Sequence, residues 1–267
     1  MIHPEQLKAF FPPYVGANPA LQKYILKEYL QMLMLDYLVS SEFVNRLVFI
    51  GGTNLRLVKG IDRFSEDLDF DCKGLSKNAF DRMTNGVTQF LLRNGYNVEN
   101  RDKLRPKLSA FRRNVYFPGL LYELGLSSHR DERFLIKIEA EDQGVNYSPE
   151  MTHVKSCGMF FAIPSPPDPI LCSMKLSALI SRQKGRDFYD AMFLLPQIRP
   201  DYSFLGARHG IYNEKDLKEA LLAICDKTKL HQKARDFEHL AFRRQNNKRI
   251  LHFREFVLSA LRSGGSA

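Results

Sequence analysis

Asp67-Leu68-Asp69-Phe70-Asp71 sets three carboxylates at alternate positions, the spacing at which side chains of one strand share a face. Carboxylates held so close repel one another, and the repulsion opposes folding unless a cation or a proton neutralises them. Magnesium suits the task, because it takes hard oxygen ligands in octahedral geometry and usually shares them with substrate phosphates. Two carboxylates two residues apart can hold such an ion. A calcium loop of the EF-hand type is excluded: begun at Asp67, it would need glycine at its sixth position and glutamate at its twelfth, where Cys72 and Asn78 stand. For the triplet alone, an exposed acidic edge strand that resists aggregation remains the competing reading.

A second group lies upstream. The apolar run Leu47-Val48-Phe49-Ile50 ends at Gly51-Gly52, and a strand, a glycine turn and a helix start together present backbone N–H groups to a phosphate with no side chain intervening. Glycine pairs after strands are commonly only turns. Order gives this pair its weight: strand, Gly51-Gly52, Thr53, a short helix with Arg56, then Arg63-Phe64-Ser65, then Asp-x-Asp on the next strand.

Taken together, Gly51-Gly52-Thr53-Asn54-Leu55-Arg56, Arg63-Phe64-Ser65-Glu66-Asp67-Leu68-Asp69-Phe70-Asp71, Lys137-Ile138-Glu139, Lys175-Leu176-Ser177-Ala178-Leu179 with Arg182, and Arg186-Asp187-Phe188-Tyr189-Asp190 resemble the AbiEii/AbiGii-type nucleotidyltransferases, which include toxins of bacterial toxin–antitoxin systems. The resemblance implies a polymerase-β-like nucleotidyltransferase fold with an attached helical domain, and Mg²⁺-assisted transfer of a nucleotide from an NTP, with Mn²⁺ as the alternative ion. It makes Asp67 and Asp69 the metal-binding pair and Glu139 the third carboxylate, which also helps to deprotonate the acceptor hydroxyl. Asp71 and Glu141 are their reserves. Gly51, Gly52 and Thr53 are expected on the triphosphate, with Arg56, Arg63 and Ser65 in the nucleotide-binding set. Lys137 is expected either as a point charge on phosphate or in a pair with an aspartate. Lys175 and Arg186 are expected as further phosphate cations with Asp187 orienting one of them, against the plainer reading of a solvated helix face with ion pairs.

These residues need elements to carry them. Asn18-Pro19 marks a helix start, and Leu21 to Val39 is expected as a long amphipathic helix that begins the fold. A strand over Leu47–Ile50, a short helix from Thr53 to Lys59 and a strand from Phe64 to Phe70 follow, the last burying Leu68 and Phe70. Ser76 caps a helix running to Arg93, which Asn94-Gly95 ends. Strands are expected near Tyr96 to Arg101, Leu108 to Phe117, Arg133 to Glu141 and Val154 to Ile163, as an antiparallel extension of the sheet. Pro164-Ser165-Pro166-Pro167-Asp168-Pro169 resists both helix and central strand. It sets the expected boundary between a nucleotidyltransferase domain over 1–165 and a helical bundle over 166–262. In the bundle, Ile170 to Ile180, Phe188 to Leu195 and Glu214 to Cys225 carry helical periodicity, with further helices to Leu261. Residues 263–267 read as a flexible tail. The fold class is therefore α+β, a mixed sheet with flanking helices followed by a helical bundle.

Composition narrows the partners. The 267 residues are 44% hydrophobic and 26% charged, as in globular proteins, and no apolar run approaches the roughly 20 residues that span a bilayer. The first residues do not read as a secretory signal, so the cytoplasm is expected. Cys72, Cys157, Cys172 and Cys225 form no CxxC pair and read as reduced thiols rather than a zinc site or a disulfide framework. Seven histidines form no HxH or HExxH. A formal charge of +9 favours an anionic partner. Basic groups at Arg101, Lys103, Arg105, Lys107, Arg112 and Arg113, and at Lys227, Lys229, Lys233, Arg235, Arg243, Arg244, Lys248, Arg249 and Arg254, suggest a surface that tracks RNA phosphates. An RNA acceptor, first among them a tRNA end, and an antitoxin are the expected partners besides NTP. Nucleotidylation of a protein or small molecule, and a catalytically silent binding module on the same fold, are the competing functions.

Overall fold

A computed structural model describes residues 2–102 and 110–261. Lys103, Arg105, Lys107 and the expected tail lie outside them. The chain divides into two compact units, Met1–Ser165 and Pro166–Ala267. Among the described residues no helix is long and apolar enough to cross a membrane.

The first unit opens with two short helices, α1 (Pro4–Lys8) and α2 (Pro13–Gly16), ahead of the long helix α3 (Gln22–Val39). The expected amphipathic helix therefore neither begins the fold nor keeps a polar face. Besides Ile25, Leu26, Leu30, Met34 and Leu35, it buries Lys27, Glu28 and Gln31. Those polar side chains have partners: Lys27 pairs with Glu66, Glu28 with Arg56, and Gln31 reaches into the site described below. A buried polar group is tolerable only on such terms.

Five strands form one sheet among the described residues: β1 (Leu47–Ile50), β2 (Asp67–Cys72), β3 (Glu99–Asn100), β4 (Phe111–Tyr116) and β5 (Leu135–Glu141), in spatial order β1-β2-β5-β4-β3. The pair β2/β5 is parallel and the other pairings antiparallel, which makes the sheet mixed. Leu68 and Phe70 face the core as expected, beside Phe49, Ile136, Ile138 and Ala140. Each large apolar side chain buried there contributes roughly 1.5–3 kcal/mol. The helix α4 (Gly51–Leu57) starts at the glycine pair itself, earlier than expected, and Asn54 anchors it by donating to Phe49 O and Ser165 Oγ. Helix α5 (Lys77–Arg93) begins with Ser76 accepting from Ala79 N, and Gly95 at φ +82° follows its end. A one-turn helix, α6 (Leu120–Glu123), precedes β5.

Expected strands differ in two places. Tyr96 to Arg101 shrinks to a two-residue ladder with β4, although Tyr96 and Val98 are buried. Val154 to Ile163 is a hairpin, β6 (Glu150–Ser156) and β7 (Met159–Ser165), forming its own two-stranded sheet. Cys157 and Gly158 sit at φ +51° and +79° between them, the geometry of a tight hairpin turn that reverses the chain mid-run.

The second unit is helical: α7 (Asp168–Arg182), α8 (Gly185–Leu194), α9 (Tyr202–His209), α10 (Glu214–Lys227), α11 (Leu230–Asp236) and α12 (Phe253–Ala260), with 3₁₀ turns between the last two. Phe188, Phe204, Phe237 and Phe253 fill its core. All four cysteines are free and buried, and burial pushes the Cys157 and Cys172 thiols up to about 12, which keeps them protonated and inert.

The end of β2 is locked by Asp71, which is 2% exposed and accepts hydrogen bonds from Gln143 N and the Tyr147 hydroxyl. Burial first, and then the Asp71 charge, hold the Tyr147 phenol far above its ordinary pKa, so it remains a donor. Tyr147→Phe leaves one Asp71 oxygen short of a partner and should cost about 1–3 kcal/mol, read as a shift in the urea unfolding midpoint.

Candidate active site

The parallel register sets Asp67 beside Lys137 and Asp69 beside Glu139, and the antiparallel one sets Glu139 beside Arg112 and Lys137 beside Asn114. Because alternate residues share a face, Asp67, Asp69, Lys137, Glu139, Arg112 and Asn114 lie together on the side of the sheet away from Leu68, Ile136 and Ile138. Lys137 Nζ stands 3.1 Å from Asp67 Oδ2 and 2.5 Å from Glu139 Oε2. Burial alone would lower the Lys137 pKa, but Asp67 and Glu139 outweigh it and hold the ammonium above the usual lysine value. Glu139 mirrors this: burial would raise its carboxyl, yet Lys137 and Arg112 keep it below the usual range. Arg112 Nε donates to Glu139 Oε1 at 2.5 Å.

Gly51 meets this face directly. Its φ of +84° is one that glycine adopts freely, and a Cβ there would collide with the Asp69 carboxylate. A Cβ on Gly52 would stand 2.6 Å from Ser65 Oγ and 3.3 Å from Arg63 Nη2. The glycine pair, Ser65 and Asp69 are thus in van der Waals contact, and both glycines are there because nothing larger fits.

Behind the turn the residues serve to hold it. Thr53, with no exposed surface, donates its hydroxyl to Asp67 O. Gln31 donates to Ser65 O at 3.2 Å and spans Thr53 Oγ1 and Asp67 O at 3.4 and 3.5 Å. Arg56 forms a two-pronged pair with Glu28. Arg63 is fully buried and donates to Phe64 O at 3.0 Å. Of the expected nucleotide-binding residues, Gly51, Gly52, Ser65 and Lys137 therefore border the carboxylate face, whereas the side chains of Thr53, Arg56 and Arg63 point to interior partners.

Hard oxygen donors fit magnesium, and Asp67 Oδ2 and Glu139 Oε2 already converge on one cation, the Lys137 ammonium. No group of three or more His, Cys, Asp or Glu side chains among the described residues is placed to hold a metal ion. Asp67 and Asp69 share one face of β2, and paired carboxylates are the hard oxygen donors that Mg²⁺ usually combines with phosphate oxygens and water. Glu139, expected as the third ligand, is held by Lys137 and Arg112. Asp71 is turned to Tyr147 and Gln143.

In the second unit the two remaining motifs are joined by ion pairs. Lys175 Nζ lies 3.0 Å from Asp190 Oδ2 with both side chains buried, and Asp187 takes Arg182 in a two-pronged pair at 2.7 and 3.0 Å and accepts from Lys184 N. Arg186 is half-buried and makes neither ion pair nor hydrogen bond among the described residues. Within the basic groups, Arg113 is buried against Asp81 and Asp102, so it leaves the surface set, and Arg244 and Arg254 pair with Glu238 and Asp226. Sequence reasoning did not single out Gln31, Arg112 as a partner of Glu139, or Asp190 as a partner of Lys175. Gln31 had one signal, a lone amide within Leu30-Gln31-Met32-Leu33.

The close contact makes Gly51 less replaceable than other left-handed glycines. Gly60, at φ +75°, has nothing within 4 Å of where an added methyl would stand, so Gly60→Ala should cost only the backbone term of about 1–2 kcal/mol. Gly51→Ala should cost clearly more, because Asp69 must also move; equal drops in melting temperature for the two variants would contradict the contact.

The family model "Nucleotidyl transferase AbiEii toxin, Type IV TA system" matches residues 33–262. No curated protein matches the sequence significantly. Among solved structures, MenT4, a nucleotidyltransferase toxin from Mycobacterium tuberculosis, superposes with a TM-score of 0.59 at 16% identity, covering 97% of this chain and 90% of that one. JHP933 from Helicobacter pylori superposes with a TM-score of 0.51 at 18% identity, covering 89% and 91%. Identities this low speak for the shared fold alone. The family match runs through the glycine turn, the acidic strand and the helical motifs, and the chain belongs to the AbiEii family of nucleotidyltransferase toxins of type IV toxin–antitoxin systems.

Proposed function

We propose that this enzyme transfers a nucleoside monophosphate from an NTP to a hydroxyl at the end of an RNA, in the first place a tRNA, using Mg²⁺ or Mn²⁺ held by Asp67 and Asp69. The observation that carries the reading is the contact of the Asp69 carboxylate with Gly51, which brings carboxylate oxygens and exposed backbone to one point. A triphosphate there would lie on backbone without a side chain in the way, while its metal is shared with Asp67 and Asp69. The ion supplies charge neutralisation at the α-phosphoryl group and the departing pyrophosphate.

In this reading the acceptor oxygen attacks the α-phosphorus, the bond to the β-phosphate oxygen breaks, and pyrophosphate leaves with its electron pair. Glu139 stays ionised beside Lys137 and Arg112, and takes the hydroxyl proton. Lys137 is proposed to exchange a carboxylate for a phosphate oxygen as substrate arrives. Thr53, Gln31, Arg56 and Arg63 fix the turn against β2 and are positioning residues. Arg186 is proposed as a phosphate cation, whereas Lys175 is buried against Asp190, and Asp187 holds Arg182 rather than Lys175 or Arg186, so Lys175 and Asp187 both serve as positioning residues. A cognate antitoxin is the expected protein partner, and growth inhibition the biological result.

The test is transfer of label from each α-labelled NTP into total RNA with Mg²⁺. Asp67→Asn and Asp69→Asn keep shape and remove charge, and each should lower the rate on the order of 10²-fold or more, since the metal's role is worth several kcal/mol. Labelling that survives both substitutions would overturn the proposal, and label found only in protein or small molecules would replace the RNA acceptor.

A further inference from the structure

Beyond Glu139 the same face of the sheet continues into a cavity of about 500 Å³ lined by Arg101, Asp102, Arg112, Asn114, Tyr116, Arg133 and Leu135. We infer that this cavity receives the hydroxyl-bearing end of a single-stranded polynucleotide acceptor, with Arg101 as a stacking platform for a base and Arg112 and Arg133 as its phosphate contacts. The inference rests on the proposed transfer to RNA and adds where the acceptor docks.

Position is the first argument. The register sets Arg112 beside Glu139 and Tyr116 beside Leu135, so the cavity begins one residue pair from the carboxylate that faces the acceptor hydroxyl. A strand end reacting at Glu139 has its preceding nucleotides within reach of this wall. Neighbouring strands lie roughly 4.8 Å apart, and successive same-face residues about 6.7 Å, so the wall from Arg112 to Tyr116 spans about two nucleotides.

Chemistry is the second. The Arg101 guanidinium lies over the Tyr116 ring, 3.8 Å from its centroid, and the Arg101 side chain is 58% exposed. A guanidinium laid over an aromatic ring keeps its outer plane for another flat ring, and unstacked bases bind on such planes in a sequence-tolerant way. Arg133 is exposed and makes neither ion pair nor hydrogen bond among the described residues. The one acidic residue in the wall is exposed but engaged: Asp102 accepts from Asn114 N at 3.1 Å and lies 3.1 Å from Arg113 Nε, which offsets its charge. An amphipathic peptide would want an apolar floor, and here Leu135 is the one aliphatic side chain among the lining residues.

Arg112 gives the site a second use. It belongs at once to the cavity wall and to Glu139. A phosphodiester drawing Arg112 away frees one Glu139 oxygen for the acceptor hydroxyl, so a docked strand would prepare the carboxylate it needs.

The experiment uses the full chain and a 12-nucleotide single-stranded RNA with a free 3′ hydroxyl, with DNA of the same sequence as the second arm. The double variant Arg101→Ala/Arg133→Ala should bind the RNA at least tenfold more weakly, with a salt dependence shallower by about 0.7 in log–log slope, as one lost phosphate contact to a single strand requires. NTP binding should not change, because neither residue touches Asp67, Asp69 or the glycine turn, and the melting temperature should fall only by what the exposed Arg101–Glu99 pair and the Tyr116 contact contribute. A 4-thiouridine at the RNA terminus should crosslink to peptides from β4 or around Arg101. Equal weakening on DNA supports the site and removes a preference for RNA. Wild-type protein that labels RNA while the double variant binds and crosslinks as wild type would overturn the cavity as acceptor site and leave the proposed transfer standing. Absence of RNA binding by the wild type would overturn both.

Discussion

Electrostatic balance on one face of the central sheet is the constraint to which the surrounding structure answers. Asp67, Asp69 and Glu139 are set side by side by the β2/β5 register, and Lys137 and Arg112 are the charges that let them stay there. At 3.1 Å and an effective dielectric near 20, the Lys137–Asp67 attraction is about 5 kcal/mol before desolvation is subtracted. An attraction of that gross size favours the paired face in the free chain, and in the proposed reaction a doubly charged ion arriving with a triphosphate would compete with it. A face neutralised by a deep, fully buried cation would not open in this way.

The buried polar residues behind the turn follow from the same constraint. An Asp-x-Asp strand can point its carboxylates at a substrate only if its backbone is fixed from behind. Gln31 and Thr53 do that by bonding to the carbonyls of Asp67 and Ser65, and Glu28 with Arg56 ties the helix that carries Thr53 to the central helix α3. This explains why α3 carries charge and amide groups in its interior, against the amphipathic pattern expected for a surface helix. Polar groups buried with complete partners rigidify a site, and with partial ones they would weaken it.

What could be read in the sequence was local. Period-two alternation through Asp67 to Asp71, the apolar run before Gly51-Gly52, the Ser76 cap and the proline cluster each carry their meaning within a few residues, and the corresponding elements are found. What could not be read was pairing between distant segments. Arg112 and Arg113 are chemically alike and adjacent, yet strand alternation sends one to Glu139 and the other into the interior against Asp81. Nothing in a single sequence says which, because that depends on the strand beside them. The fate of Lys137 was open for the same reason, since a slip of β5 by one side-chain period would keep its face and exchange its partners. The hairpin at Cys157-Gly158 was legible in principle, since Gly158 interrupts the run, but the strong apolar alternation on both sides hid the reversal.

Arg112 shows how these pieces bear on one another. Were Glu139 bound to Lys137 alone, its carboxylate would have a free oxygen at all times and would be as ready to activate water as an acceptor. With Arg112 also engaged, the free chain keeps both Glu139 oxygens occupied. Water offers Arg112 only neutral hydrogen bonds in place of the carboxylate, whereas a polyanion offers charge-assisted ones. If Glu139 is the base, as proposed, a toxin that must spend NTP on its target rather than on hydrolysis would gain from having the target's own charge release it. In the proposed transfer the carboxylate face would therefore select among acceptors before any base is read, by the charge the acceptor brings to the sheet.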